Sequence, residues 1–152
     1  MPKYYKKKYY RGGKDKYSVE HRGGSISVPT YPTQQVTTIV PPSTLEGTRK
    51  VKHLGITLSS NVTDITGMYW ALVYVPEGYT ANSLSVTAGS SIYEPNQNVM
   101  ACGVLNFSAG PARIYSKLSR NLSSGDHIDL ILLSTGPAAI VATVVDYAIT
   151  LQ

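Results

Sequence analysis

The chain of 152 residues has one cysteine, one tryptophan, one phenylalanine and three histidines, and only 15% of its residues are charged. Cys102 has no second thiol to pair with and no cluster of histidines beside it, so neither an internal disulfide nor a metal centre is expected. The fold must then stand on packing, and Cys102, between Ala101 and Gly103 in an apolar stretch, reads as a small core residue. Long hydrophobic runs are also missing. The longest largely apolar run, residues 138–145, stops at Asp146, far short of the ~20 residues that cross a bilayer. No apolar leader follows the basic start, so a soluble chain without a signal peptide or a membrane partner is expected. His21, His53 and His127 are scattered, and no GxSxG elbow or metal-ligand spacing occurs. Asp126-His127 with a distant serine is the one catalytic pose available, and nothing in the sequence selects the serine. These absences point away from an enzyme, a cofactor or a small-molecule substrate.

What is present is positive charge at one end. Residues 1–24 hold eight bases against two acids, a net +6, whereas residues 25–152 hold six against seven, a net −1. A basic arm on a neutral body calls for a polyanionic partner. With almost no aliphatic side chains to bury, the arm is expected to lack structure of its own, any order coming from a partner. Its bases, Lys3, Lys6, Lys7, Lys8, Arg11, Lys14, Lys16 and Arg22, alternate with Tyr4, Tyr5, Tyr9, Tyr10 and Tyr17. Cations neutralise phosphates, and phenol rings stack on unpaired bases without demanding a sequence, each stack worth about 1–3 kcal/mol. The combination suits single-stranded nucleic acid; a solubilising tail or a nuclear-import signal would use the same residues. Two further groups, Arg49, Lys50 and Lys52, and Arg113, Lys117 and Arg120, are candidates to extend the basic surface onto the body, the alternative being an ordinary solvated sheet face.

From Ser25 onward the composition turns to Val, Ile, Thr, Ser and Tyr punctuated by Gly, Pro and Asn, with no sustained helical period. An all-β domain of eight antiparallel strands is expected, at 35–40, 48–59, 66–75, 84–87, 98–107, 112–118, 127–133 and 139–151. Leu54, Ile56 and Leu58, then Ile128, Leu130 and Leu132, then Val141, Val145, Tyr147, Ile149 and Leu151 each share a parity and should face a sandwich core. Residues 68–75 are apolar on both faces, which marks either a central strand or a strand whose outer face meets another subunit.

Several segments carry a resemblance to a known family: GMYWALVYVPEG at 67–78, PNQNVMACG at 95–103 and GPARIYSKLSRNLSSGDHIDLIL at 110–132, behind a basic arm. In this order they resemble the capsid proteins of small circular single-stranded DNA viruses that encode a replication initiator, the circovirus-like group. The resemblance implies a single jelly roll, an eight-stranded antiparallel β-sandwich at 25–152. It also implies a self-assembled icosahedral shell, most simply of about 60 copies, with the arm at 1–24 lining the interior against a single-stranded DNA genome. Such a protein resides in the virion and passes through the host nucleus during assembly. The arm departs from the group in being rich in Lys and Tyr rather than Arg, and the chain is short for it. Subunit contacts are expected on the strand at 68–75 or on the loops bearing Tyr79 and Tyr93. The competing readings are a non-viral protein that condenses nucleic acid, which needs no large assembly, and a lectin-like adhesive β-sandwich, indifferent to loss of the arm.

Overall fold

Alternating apolar residues separated by Gly- and Pro-bearing turns form strands, because period-two burial suits a sheet with one face on a core. The computed structural model describes residues 17–61, 67–85 and 98–151. Among them are nine strands and no helix: β1 Ser18–Val28, β2 Gln35–Val40, β3 Arg49–Ser60, β4 Gly67–Val75, β5 Val99–Asn106, β6 Ala112–Ser116, β7 Arg120–Leu122, β8 His127–Ser134 and β9 Ala139–Leu151. They form two antiparallel sheets. One has the order β1-β9-β3-β6, with the short β7 continuing β6 along the same edge of β3; the other has the order β2-β8-β4-β5.

The facing sides of the two sheets make one core. Leu54, Ile56 and Leu58 of β3, Ile128, Leu130 and Leu132 of β8, and Val141, Val145 and Tyr147 of β9 are all buried there, as their parity requires. At about 25 cal/mol per Å2 of apolar surface, side chains of this size each contribute about 1.5–3 kcal/mol on burial, and the fold needs no covalent staple. β4 is a central strand between β8 and β5. Its Met68 and Leu72 enter the main core, while Ala71, Val73 and Val75 join Ile131 in a second cluster on the opposite face, covered by Ala81, Leu84 and Val99. Of the two expectations for 68–75 the central strand is the one found, and Ala81 and Leu84 after β4 with Val99 of β5 pack on its outer face, where a subunit contact was the alternative.

Three other expectations change. The described residues hold nine strands rather than eight. Residues 84 and 85 are not in a strand, and 86–87 lie outside the described residues. Residues 18–24, expected to be ordered only by a partner, instead open β1, which pairs along its whole length with β9 from Ser18 opposite Ile149 to Val28 opposite Ala139. Main-chain bonding to β9 and burial of Ile26 and Val28 hold this polar, glycine-containing strand. Cys102 is exposed rather than buried, because it lies on the edge strand β5. A maleimide is therefore expected to label one thiol per chain without denaturant in the unassociated protein; labelling that waits for urea would contradict this exposure.

One end of the sandwich is tied by Asp126, which is only 6% exposed. Its carboxylate accepts hydrogen bonds from the Tyr74 hydroxyl at 2.7 Å and from the amides of Ser123 at 2.8 Å and Glu77 at 3.1 Å. Burial first, then the bond to Asp126 and its charge, push the Tyr74 phenol up to about 12 from the ordinary 10.0, with Arg120 opposing. The folded state thus keeps this phenol neutral over a range in which the unfolded chain ionises it. Stability should fall as the pH rises from about 10 to 12, and Tyr147, also raised by burial, acts in the same direction. Urea midpoints at pH 9 and pH 11 test this: Tyr74→Phe should narrow the difference between them, and an unchanged difference would assign the alkaline limb elsewhere.

Candidate nucleic-acid interface

The outward face of the five-stranded sheet is shaped by a phase break in β3. Strict alternation back from Leu58, Ile56 and Leu54 would send Lys52 and Lys50 into the core. Instead the register with β9 shifts between Lys52 and Gly55, and His53 adopts a left-handed φ of 55°. The extra residue inverts the parity, so Val51 is buried and Lys50 and Lys52 emerge on the outer face. On the neighbouring β6, Arg113 and Tyr115 are exposed and alternate with buried Ile114 and Ser116; Lys117 follows, exposed, just past the strand's end.

Tyr115 pairs with Gly55 and Arg113 with Thr57. A Cβ on Gly55 would lie 3.4 Å from Arg113 Nη2 and 3.8 Å from both Arg113 Nε and Tyr115 Cδ2. Both side chains therefore lie across β3 in the space that the glycine leaves. His53 Nδ1 is 3.3 Å from the Tyr115 hydroxyl. Lys52 Nζ sits 4.5 Å from the centroid of the Tyr17 ring, a cation–π contact that places the root of the basic arm on this same face. Among the described residues, the carboxylate of this face is Asp146, which pairs across strands with His21 through Nδ1 to Oδ1 at 2.6 Å.

The basic residues expected to act together divide into two groups. Tyr17, Lys50, Lys52 and Arg113 share the outer face, and Lys117 is exposed just past the end of β6. Arg120 borders it: its guanidinium centre lies 5.8 Å from the Tyr74 ring centroid, and it lines a depression of about 400 Å3 with Lys50, Tyr74, Ser119 and Asn121. Arg49 is on the other side of β3, where its guanidinium donates to the carbonyls of Pro41 at 3.0 Å and Asp126 at 3.1 Å. Burial lowers its pKa from the ordinary guanidinium value, with Tyr147 and Asp126 acting the other way. Arg49 is thus a structural tie. Arg22 lies on β1 on the side of Tyr147 and bonds Glu20 at 3.3–3.4 Å, away from the strip. Lys3, Tyr4, Tyr5, Lys6, Lys7, Lys8, Tyr9, Tyr10, Arg11, Lys14 and Lys16 lie outside the described residues.

His53 and Gly55 were not singled out for this surface by sequence reasoning. Their trace is the segment Lys50-Val51-Lys52-His53-Leu54-Gly55, where apolar parity changes phase in mid-strand. The Asp126-His127 pose does not form, since the Asp126 carboxylate is occupied as above and His127 Nε2 faces Asp129 Oδ2 at 3.4 Å. The assembled face is suited to binding a polyanion and presents aromatic surface among its charges. No protein-family model matches the chain, and no curated protein sequence is significantly similar to it.

Proposed function

We propose that this chain is the coat-protein subunit of a small circular single-stranded DNA virus: a jelly roll that self-assembles into an icosahedral shell and packages the genome with its basic arm and the face from which that arm departs. The observation that carries the reading is the joining of a particular strand order to a one-sided basic face. β1 to β4 alternate between the two sheets, and the late strands β8 and β9 return to insert between β2 and β4 and between β1 and β3. Two interleaved Greek keys of this kind support a jelly roll. The root of the arm, Tyr17, meets Lys52 on the same face that bears Lys50 and Arg113, with exposed Lys117 just past the end of β6.

In such a shell the five-stranded sheet turns inward. About 60 arms of +6 would bring about 360 positive charges to the lumen, enough to offset much of a genome on the order of a thousand nucleotides. Mutual repulsion of the arms makes assembly depend on nucleic acid. Subunit contacts close by symmetry through heterologous surfaces, and Tyr79, 71% exposed, is available to one; Tyr93 lies outside the described residues.

The test compares the full-length protein with a variant lacking residues 1–16, a cut that leaves β1 intact, by absorbance at 260 and 280 nm and by particle size. The full chain is expected to yield particles that hold nucleic acid, and the deletion to lose it. Equal nucleic-acid content in the two preparations would remove the arm from packaging.

A further inference from the structure

We infer that His53, Arg113 and Tyr115, laid over Gly55, form a nucleotide-binding platform in which an unpaired base stacks on the Tyr115 ring while its phosphate meets the Arg113 guanidinium. The inference deepens the reading of this face as a nucleic-acid surface and rests on it.

Three independent features converge on the platform. The first is backbone strain. A left-handed histidine is uncommon, and bulges that hold such residues recur where a side chain must be re-aimed. Here the bulge turns Lys50 and Lys52 outward and sets the His53 ring within 3.3 Å of the Tyr115 hydroxyl, so the imidazole extends the aromatic surface. The second is the missing side chain at Gly55. With Arg113 Nη2 3.4 Å from the position of a Cβ, an alanine would just touch the guanidinium, and a longer side chain would compete for the space in which it lies. Arg113 and Tyr115 instead both lie over the glycine, a charged group and an aromatic ring next to each other on the sheet. The third is electrostatic complementarity. Lys52 precedes His53 and Lys117 follows Tyr115 by two residues, and the carboxylate of Asp146, the residue paired with Gly55, is engaged by His21.

A chain entering from the arm root at Tyr17 would pass Lys52 and reach Tyr115 along β3. The occupant is single-stranded nucleic acid, because bases in a duplex keep their faces against one another and have none to offer a flat ring. Stacking is tolerant of base identity, so no sequence preference is expected.

Photocrosslinking tests the platform in the full-length chain. The probe is an oligothymidylate of about 10 nucleotides carrying 5-iodouracil, matched to the span of one binding surface. After irradiation and tryptic digestion, the expected adduct is on the peptide 114–117, cut out after Arg113 and Lys117. Tyr115→Phe should retain that adduct. Tyr115→Leu should lower its yield about tenfold, consistent with the loss of one stack, with an unchanged urea midpoint. A duplex of the same sequence should not give it.

If the oligonucleotide is retained but every adduct falls within residues 1–17, the platform is overturned and the packaging role of the arm stands. An equal yield from the duplex would likewise overturn stacking at Tyr115. If the full chain retains no oligonucleotide even at low salt, the reading of the whole face fails, and the platform with it.

Discussion

Asp126→Ala is expected to lower the free energy of unfolding by about 3–5 kcal/mol. The carboxylate is nearly sealed from solvent and is the shared acceptor for the Tyr74 hydroxyl and two backbone amides, those of Glu77 and Ser123. Hydrogen bonds to a charged acceptor are each worth about 1.5–3 kcal/mol, and truncation leaves three donors without it at the junction of β4, β7 and β8. Water can reach the half-buried Tyr74, which keeps the total below the simple sum of three bonds. Asp126→Asn retains one acceptor oxygen but turns an NH2 toward donors, so it should fall between the alanine variant and the parent. Urea unfolding measures all three. An alanine variant within about 1 kcal/mol of the parent would show that this carboxylate does not tie the end of the sandwich.

Neutralising Lys50, Lys52, Arg113 and Lys117 together to Gln is expected to flatten the salt dependence of single-stranded DNA binding. Each phosphate contact to a single strand contributes about 0.7 to the slope of log K against log salt, so the loss of four should reduce its magnitude by about 3. Lys50, Lys52 and Arg113 leave the sheet on its outer face and Lys117 is exposed past the end of β6, so the fold should tolerate the change. Arg49→Gln is the matched control. It removes one positive charge from the same strand, but a charge spent on the carbonyls of Pro41 and Asp126. Its cost should appear in stability, with little change in slope. A quadruple variant that keeps the parental slope would leave the sheet face without a role in binding.

The contrast between Arg49 and its neighbours shows where sequence reasoning reaches and where it stops. β3, β8 and β9 were legible because their apolar residues recur at period two and both sheets use that period for the core. The division of the bases was not legible, since it depends on the bulge at His53, and a bulge is seen in the register with β9 rather than in composition. β1 was hidden for a related reason. Glu20, His21, Arg22, Gly23 and Gly24 have little intrinsic strand preference, and it is pairing with β9, over a hundred residues away, that makes them a strand. β7, three residues long, gives no periodicity to read.

Cys102 failed in the opposite direction. Its apolar neighbours suggested the core, but β5 is an edge strand, and among the described residues the outer-face cluster takes in Ile131 of β8, β4 and, from β5, Val99. Of the candidate site, the exposed parity of Arg113 and Tyr115 was readable from alternation with Ile114, and the structure keeps it; the strand expected at 112–118 ends at Ser116, and Lys117 is exposed beyond it. That Arg113 and Tyr115 lie down over Gly55 depends on which strand is their neighbour, and topology alone supplies that.

The most direct measurement of the proposed function is electron microscopy of the purified full-length protein together with its mass in solution. Closed, regular shells of about 1 MDa of protein, the mass of about 60 copies of a 16.5 kDa chain, with nucleic acid inside, are expected. A monodisperse monomer that neither assembles nor retains nucleic acid at any salt concentration would contradict it.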